Sequence, residues 1–308
     1  MPGQGPELSR QVPPAIEFQQ VTKVFPDGTR AVDGFSLVAP AGRITVLVGL
    51  SGCGKTTLLR MVNRLVNPSS GAILLGNRNV TSTDAVQLRR RIGYVMQNSG
   101  LLPHRKVIDN ICVVPRLLGV PRKQARAEGL ALMDRVGLDR EMAQRYPGQL
   151  SGGQQQRTGV ARALAADPAV MLMDEPFGAV DPIVRTGLQR DLLRLQAERP
   201  RTILFVTHDM SEAFALGDLI MLLSKGATIV QSGKPVDFLT HPADDYVSRF
   251  IGLDNGAGSL HTTVVDGVPI VVDANSRPVG RFDDHPATPG SGNHDSDGGP
   301  ADGLGDSS

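Results

Sequence analysis

The chain has 308 residues, enough to bury one large core or two modest ones. Its 32 lysines and arginines nearly cancel 31 aspartates and glutamates, so a net charge of +1 gives no global pull toward nucleic acid. The two cysteines, Cys53 and Cys112, are far apart and lack metal-ligand spacing, a pattern that suits reduced cytosolic thiols.

Residues 1–15 are rich in proline and glycine and are expected to form a mobile leader; they lack the cationic and apolar regions of a signal peptide. From Ile16 to about Gly76, "IEFQQVTKVF", "FSLVAP", "ITVLVG" and "GAILLG" read as strands. Among them lies one helix, "KTTLLRMVNRLV", with Leu58, Leu59, Val62, Leu65 and Val66 at helical spacing. Arg91–Gln97, "RIGYVMQ", is a further strand. Residues 105–166 read as helices: "VIDNICVVPRLLG", then "PRKQARAEGLALMDRVG" opened by Pro121 and closed by Gly137, then "GQQQRTGVARALAAD". Strands "VMLMDEP" and "TILFVTH" then alternate with helical "PIVRTGLQRDLLRLQAE" and "MSEAFALG", and "LIMLLSKGATIVQSG" reads as a hairpin.

The apolar runs are continuous rather than alternating, as in parallel strands buried on both faces, and none approaches the length that spans a bilayer. The pattern predicts an α/β core interrupted by a helical insertion at about 98–166. Residues 253–282 make a short extension in which Asp266-Gly267 favours a hairpin turn, although Pro269 weakens its second strand. Residues 283–308 carry few large apolar side chains and are expected to be disordered.

The chemistry centres on "GLSGCGKTT", comprising Gly49, Leu50, Ser51, Gly52, Cys53, Gly54, Lys55, Thr56 and Thr57. This G-x-x-x-x-G-K-[ST] loop follows a buried strand and opens a helix. Its backbone N–H groups can cradle phosphates, Lys55 can reach the β/γ-phosphates, and the Thr56 hydroxyl suits Mg²⁺. "VMLMDEP" ends an apolar strand in Asp174, placed toward Mg²⁺, and Glu175, placed to take a proton from attacking water. "TILFVTHDM" brings His208 to the same sheet edge, where imidazole can contact a γ-phosphate; Gln97 offers an amide oxygen to Mg²⁺. In isolation each of these polar residues reads as an ordinary solvated strand end. Phe25 is either a purine-stacking ring or an ordinary core aromatic. A second glycine loop, Ser151, Gly152 and Gly153, precedes a helix predicted to start near Gln154. It lacks a following Lys-Thr and is suited to cap a nucleotide held elsewhere.

The phosphate loop, Gln97, "LSGGQ", "VMLMDEP", "AVD" and His208 stand in the order seen in the nucleotide-binding subunits of ABC transporters, which the chain resembles from about Ile16 to Gly252. "LSGGQ" is highly specific to that family. The resemblance implies a P-loop NTPase (RecA-like) core with an inserted helical subdomain and an N-terminal antiparallel β subdomain. It implies Gln97 as the Q-loop residue, Asp181 as the D-loop residue and Phe25, often tyrosine in relatives, as the adenine-stacking ring. It also implies ATP and Mg²⁺, and a head-to-tail homodimer in which each "LSGGQ" closes over the other subunit's ATP. Further partners implied are integral membrane permease subunits, docked near Leu101, Leu102 and Pro103 at the cytoplasmic face, and an external solute-binding protein. "DEPFGAVDPIVR" and "RRRIGYVMQNSGLLPHRKVIDNICVVPRLLG" resemble importers of osmoprotectant quaternary amines. Many of those carry paired CBS repeats after the ATPase, and the residues after Gly252 are too few for such a pair. A polar amino-acid importer is the nearest alternative. A soluble ABC ATPase and a kinase or GTPase fit less well, the latter leaving "LSGGQ" unexplained.

Overall fold

The computed structural model describes residues 13–178, 180–253, 260–265, 268–272, 276 and 278–281. Most of the leader and the whole 283–308 tail lie outside the described residues, as does the Asp266-Gly267 turn. The chain divides into two units, residues 1–251 and 252–308.

In the first unit β1 (Ile16–Val24), β2 (Arg30–Ala39), β3 (Ile44–Gly49), α1 (Lys55–Val62), β4 (Ser70–Leu75) and β5 (Arg78–Asn79) come first. Next are α2 (Ala85–Arg91), β6 (Ile92–Val95), α3 (Val107–Ile111), α4 (Val113–Leu117), α5 (Arg122–Arg135) and α6 (Gly152–Leu164). The unit ends with β7 (Val170–Asp174), α7 (Pro182–Glu198), β8 (Thr202–Thr207), α8 (Met210–Leu216), β9 (Leu219–Ser224), β10 (Thr228–Gly233), α9 (Pro235–Thr240) and α10 (Asp245–Phe250). One sheet has the order β10-β9-β3-β8-β7-β6 and a second, antiparallel one the order β2-β1-β4-β5. In the first sheet β9, β3, β8, β7 and β6 run parallel, and β10 closes the expected hairpin on β9.

The continuous apolar runs are explained by a core on each face of the large sheet. Val46, Met173, Phe205 and Leu222 pack on one side with helices α3 and α5 to α8. Their alternate neighbours Leu47, Leu172, Leu204 and Leu223 pack on the other with α1 and with Phe18, Phe35 and Ile73 of the antiparallel sheet. With both faces covered, the interiors of these strands are almost wholly apolar, the buried Thr45 of β3 being an exception.

Three expectations need correction. The strand read as Arg91–Gln97 spans Ile92–Val95, because its ladder on β7 ends at Val95 opposite Met173 and leaves Gln97 in a turn. "VIDNICVVPRLLG" is two short helices parted at Cys112. Pro115 supplies no N–H, and its ring would crowd the Ile111 carbonyl of a continuous helix. The helix after "LSGG" starts at Gly152 rather than near Gln154. Two helices opened by aspartate caps, α2 behind Asp84 and α10 behind Asp244, were not anticipated.

The second unit contains β11 (His261–Val265), β12 (Val268–Val272) and β13 (Pro278–Arg281) in an antiparallel sheet. β11 and β12 form the expected hairpin, with Pro269 inside the ladder opposite Val264, and β13 adds an unexpected third strand.

The contact of α6 with the sheet depends on Gly93 in β6. A Cβ there would meet the Ala163 carbonyl oxygen at 2.7 Å and the Pro168 ring at 2.9 Å. Gly93→Ala should therefore cost about 1–3 kcal/mol through overpacking, read as a lower Tm in thermal unfolding. An unchanged Tm would contradict this packing.

Candidate nucleotide site

Parallel register makes the site. β3, β8, β7 and β6 are adjacent and parallel, so their carboxyl ends share one sheet edge. Each delivers one segment there: the Gly49–Thr57 loop, His208, Asp174 with Glu175, and Gln97.

The loop turns tightly because its glycines permit it. A Cβ on Gly54 (φ +113) would lie 2.4 Å from the Ala31 carbonyl oxygen, whereas at Gly52 (φ +79) it would meet open space. Gly54 caps α1 without a side chain, so the first N–H groups of that helix lack intrahelical partners and point toward an incoming anion. Lys55 is buried; its Nζ donates to the carbonyl oxygens of Gly49 at 2.7 Å and Leu50 at 2.9 Å and lies 3.6 Å from Cys53 Sγ. The ammonium is thus held inside the loop that a phosphate would enter. Leu50 and Ser51 are exposed, Thr57 is half-buried, and Cys53 is a buried free thiol.

Thr56 Oγ1 donates to Asp174 Oδ1 at 2.8 Å. Asp174 is buried, and that burial raises its pKa above the usual carboxylate range against the opposing hydrogen bond from Thr56. A carboxylate and a hydroxyl side by side form a hard-oxygen pair that fits Mg²⁺. Tyr94 and Arg60 also act on Asp174. Sequence reading missed both, although Tyr94 stands three residues before Gln97 on the same strand end.

Glu175 has φ +44, uncommon for a residue with a side chain, and its N–H donates to Val206 on β8 at 2.9 Å. Its Oε2 accepts from Gln97 Nε2 at 3.1 Å and lies 3.2 Å from His208 Nδ1. Gln97, Glu175 and His208 are therefore brought together on one carboxylate oxygen.

The remaining predicted residues lie on separate loops. Phe25 is half-buried in the turn after β1, with the Lys23 ammonium 5.2 Å from its ring centroid. Ser151 is the N-cap of α6: its Oγ accepts from the Gln154 N–H at 3.3 Å and Gln154 Oε1 accepts from the Ser151 N–H at 3.0 Å. Ser151 and Gly152 are exposed, with Gly153 half-buried behind them. Asp181 precedes α7 and its carbonyl accepts from the Arg185 N–H at 2.8 Å. Leu101 and Leu102, expected on an exposed docking loop, are half-buried. The fully buried Asn110 amide accepts from the Leu102 N–H at 2.7 Å and donates to the carbonyls of Leu102 and Arg105. Pro103, His104 and Arg105 are the exposed part, beside a polar groove lined also by Lys106, Arg116 and Arg122.

A phosphate loop at the carboxyl edge of a parallel sheet, with a strand-end Asp-Glu pair beside it, defines a P-loop nucleoside triphosphatase fold. The capped "LSGGQ" helix narrows this further. Residues 32–178 match the family model described as ABC transporter. The osmoprotectant import ATP-binding protein OsmV of Salmonella typhimurium is 46% identical over 283 residues, covering 88% of this chain and 74% of that protein. The choline transport ATP-binding protein OpuBA of Bacillus subtilis is 48% identical over 237 residues, covering 77% of this chain and 62% of that protein. The chain thus spans less than two thirds of the length of that relative. Among solved structures, the dimeric ABC transporter cassette MJ0796 matches with a TM-score of 0.65 and 31% identity, over 71% of this chain and 98% of that one. The chain belongs to the ABC transporter family.

The capping box gives a stability test independent of nucleotide. Ser151→Ala should cost about 1 kcal/mol, whereas Ser151→Asp, which preserves a capping oxygen, should stay within a few tenths. Chemical unfolding without nucleotide measures both. Equal losses would contradict the cap.

Proposed function

We propose that this chain is the ATP-hydrolysing subunit of an importer of osmoprotectant quaternary amines such as glycine betaine, choline and carnitine, with proline a related solute. The observation that carries the hydrolytic reading is the convergence of Gln97 and His208 on Glu175, at the strand edge that also holds the Lys55 loop. The solute class is supported by what the relatives are named for: choline transport, osmoprotectant import and glycine betaine uptake. A polar amino-acid importer is the alternative.

In this reading residues 16–252 form the ATPase domain and about 98–166 its helical subdomain. The loop of residues 49–57 binds the phosphates, with Lys55 releasing its two carbonyls in exchange for phosphate oxygens. Phe25 stacks on adenine. Thr56, Asp174 and Gln97 would hold Mg²⁺, which offsets phosphate charge during transfer. Glu175 keeps Oε2 with Gln97 and His208 and takes a water proton on its other oxygen. His208 can serve Glu175 and a phosphate together when both ring nitrogens carry protons. Two subunits pair head-to-tail, so that Ser151, Gly152, Gly153 and Gln154, with Asp181, close over the other subunit's ATP. The pair sits peripherally at the cytoplasmic face of the membrane, on integral membrane permease subunits supplied by an external solute-binding protein. No nucleic acid takes part.

Glu175→Gln should retain ATP binding and lose turnover by roughly 10²–10⁴-fold, the usual contribution of a general base. Steady-state ATPase assays with nucleotide-binding titration check this, and near-normal turnover would remove Glu175 from the role. On the surface carrying Pro103–Arg105, Arg105→Glu should weaken co-purification of the permease while leaving ATP affinity unchanged. Full complex formation with normal transport would exclude that surface as the docking site.

A further inference from the structure

Two buried or half-buried charges near the site have no part in the chemistry above: Arg185 on the first turn of α7, and Glu212 on α8. Glu212 is 4% exposed, and burial raises its pKa. A carboxylate so placed is costly unless a cation and hydrogen bonds satisfy it. Here Thr207 Oγ1 donates to Glu212 Oε2 at 2.6 Å, and Arg185 Nε lies 3.7 Å from Glu212 Oε1. The same guanidinium reaches Asp209 Oδ2 through Nη1 at 3.2 Å. Asp209 in turn accepts the Ser211 N–H on Oδ1 at 2.8 Å, and its own N–H donates to Thr207 Oγ1 at 3.0 Å.

The residue between Thr207 and Asp209 is His208. Its ring is 57% exposed, so packing does little to fix it. Its place is set by the two neighbours, and both are tied into the network that Arg185 closes. Glu175, Arg185, Thr207, His208 and Glu212 also border one small cavity, so the network and the hydrolytic pair face the same space. On its other side Arg185 is one helical turn from Asp181, whose carbonyl accepts the Arg185 N–H at 2.8 Å. Arg185 is thus tied through the backbone to the Asp181 loop.

We propose that Arg185 is a positioning residue: by bridging Asp209 and Glu212 it holds the 207–209 segment so that His208 meets Glu175 and the phosphate, and it couples that segment to the loop of Asp181. This rests on the reading of His208 given above. A forked guanidinium suits this place because two carboxylates three residues apart, on the N-cap and in the first turn of α8, must be reached at once; a lysine ammonium serves one.

The test is a double-mutant cycle on the ATPase activity of the full-length chain, using Arg185→Gln, His208→Ala and the pair. Arg185→Gln should lower kcat roughly tenfold, a size expected within one ion-pair network, with KM for ATP unchanged. Added to His208→Ala, it should change kcat by less than about twofold, because its effect passes through the missing ring. Arg185→Lys should recover part of the loss, and if the glutamine variant fails to fold the lysine variant carries the same cycle. Losses that multiply in the pair would overturn the proposal, as would a KM that rises in step with the fall in kcat. A wild-type chain without ATPase activity, or one indifferent to His208→Ala, would instead defeat the underlying reading and the proposal with it.

Discussion

The parallel pairing of β3, β8, β7 and β6 is the constraint on which everything else depends. It requires strands covered on both faces, and so places the clustered polar chemistry of the site at their carboxyl ends. That is why Thr56, Gln97, Asp174, Glu175 and His208, widely spaced in the chain, arrive at one edge. Without the two cores on either side, anchored by residues such as Leu172 and Phe205, no single residue of the site would hold its place.

The edge is electrostatically demanding. Burial raises the cost of ionising Asp174, and the adjacent Glu175 carboxylate adds to it. The structure offsets this locally: Thr56 donates to Asp174, Gln97 donates to Glu175, and Lys55 stands within the neighbouring loop. The left-handed backbone at Glu175 separates the two carboxylates, turning one toward the loop and the other toward Gln97 and His208. Strain of this kind persists where the surrounding ladder over-determines it, here through the Glu175 N–H on Val206.

Much of this was legible in the chain itself. Continuous apolar runs ending in charged residues announce parallel strands and their functional ends, and a glycine loop between a strand and a helix announces a phosphate site. What escaped reading shares one cause: tertiary partners that local pattern does not reveal. Leu101 and Leu102 look like exposed loop residues until Asn110, eight residues beyond Leu102, takes up the loop's backbone. The helix at Gly152 starts earlier than its apolar periodicity suggests because Ser151 and Gln154 cap each other. Tyr94 and Arg185 act on the site from a strand and a helix where both pass for ordinary fold residues.

In the proposed head-to-tail pair, Ser151 of the second glycine loop serves a nucleotide held by another copy of the chain. Lys55→Ala disables the phosphate loop, and Ser151→Asp keeps the helix cap while facing phosphate with a carboxylate. In a dimer of one variant with the other, both lesions fall in one composite site and the second site is intact. Tagged mixed dimers, trapped with labelled ATP and counted, should occlude one nucleotide each, whereas either variant alone occludes none. If each loop served its own chain's ATP, every site would keep a lesion and the mixed dimer would occlude none, which would contradict the account.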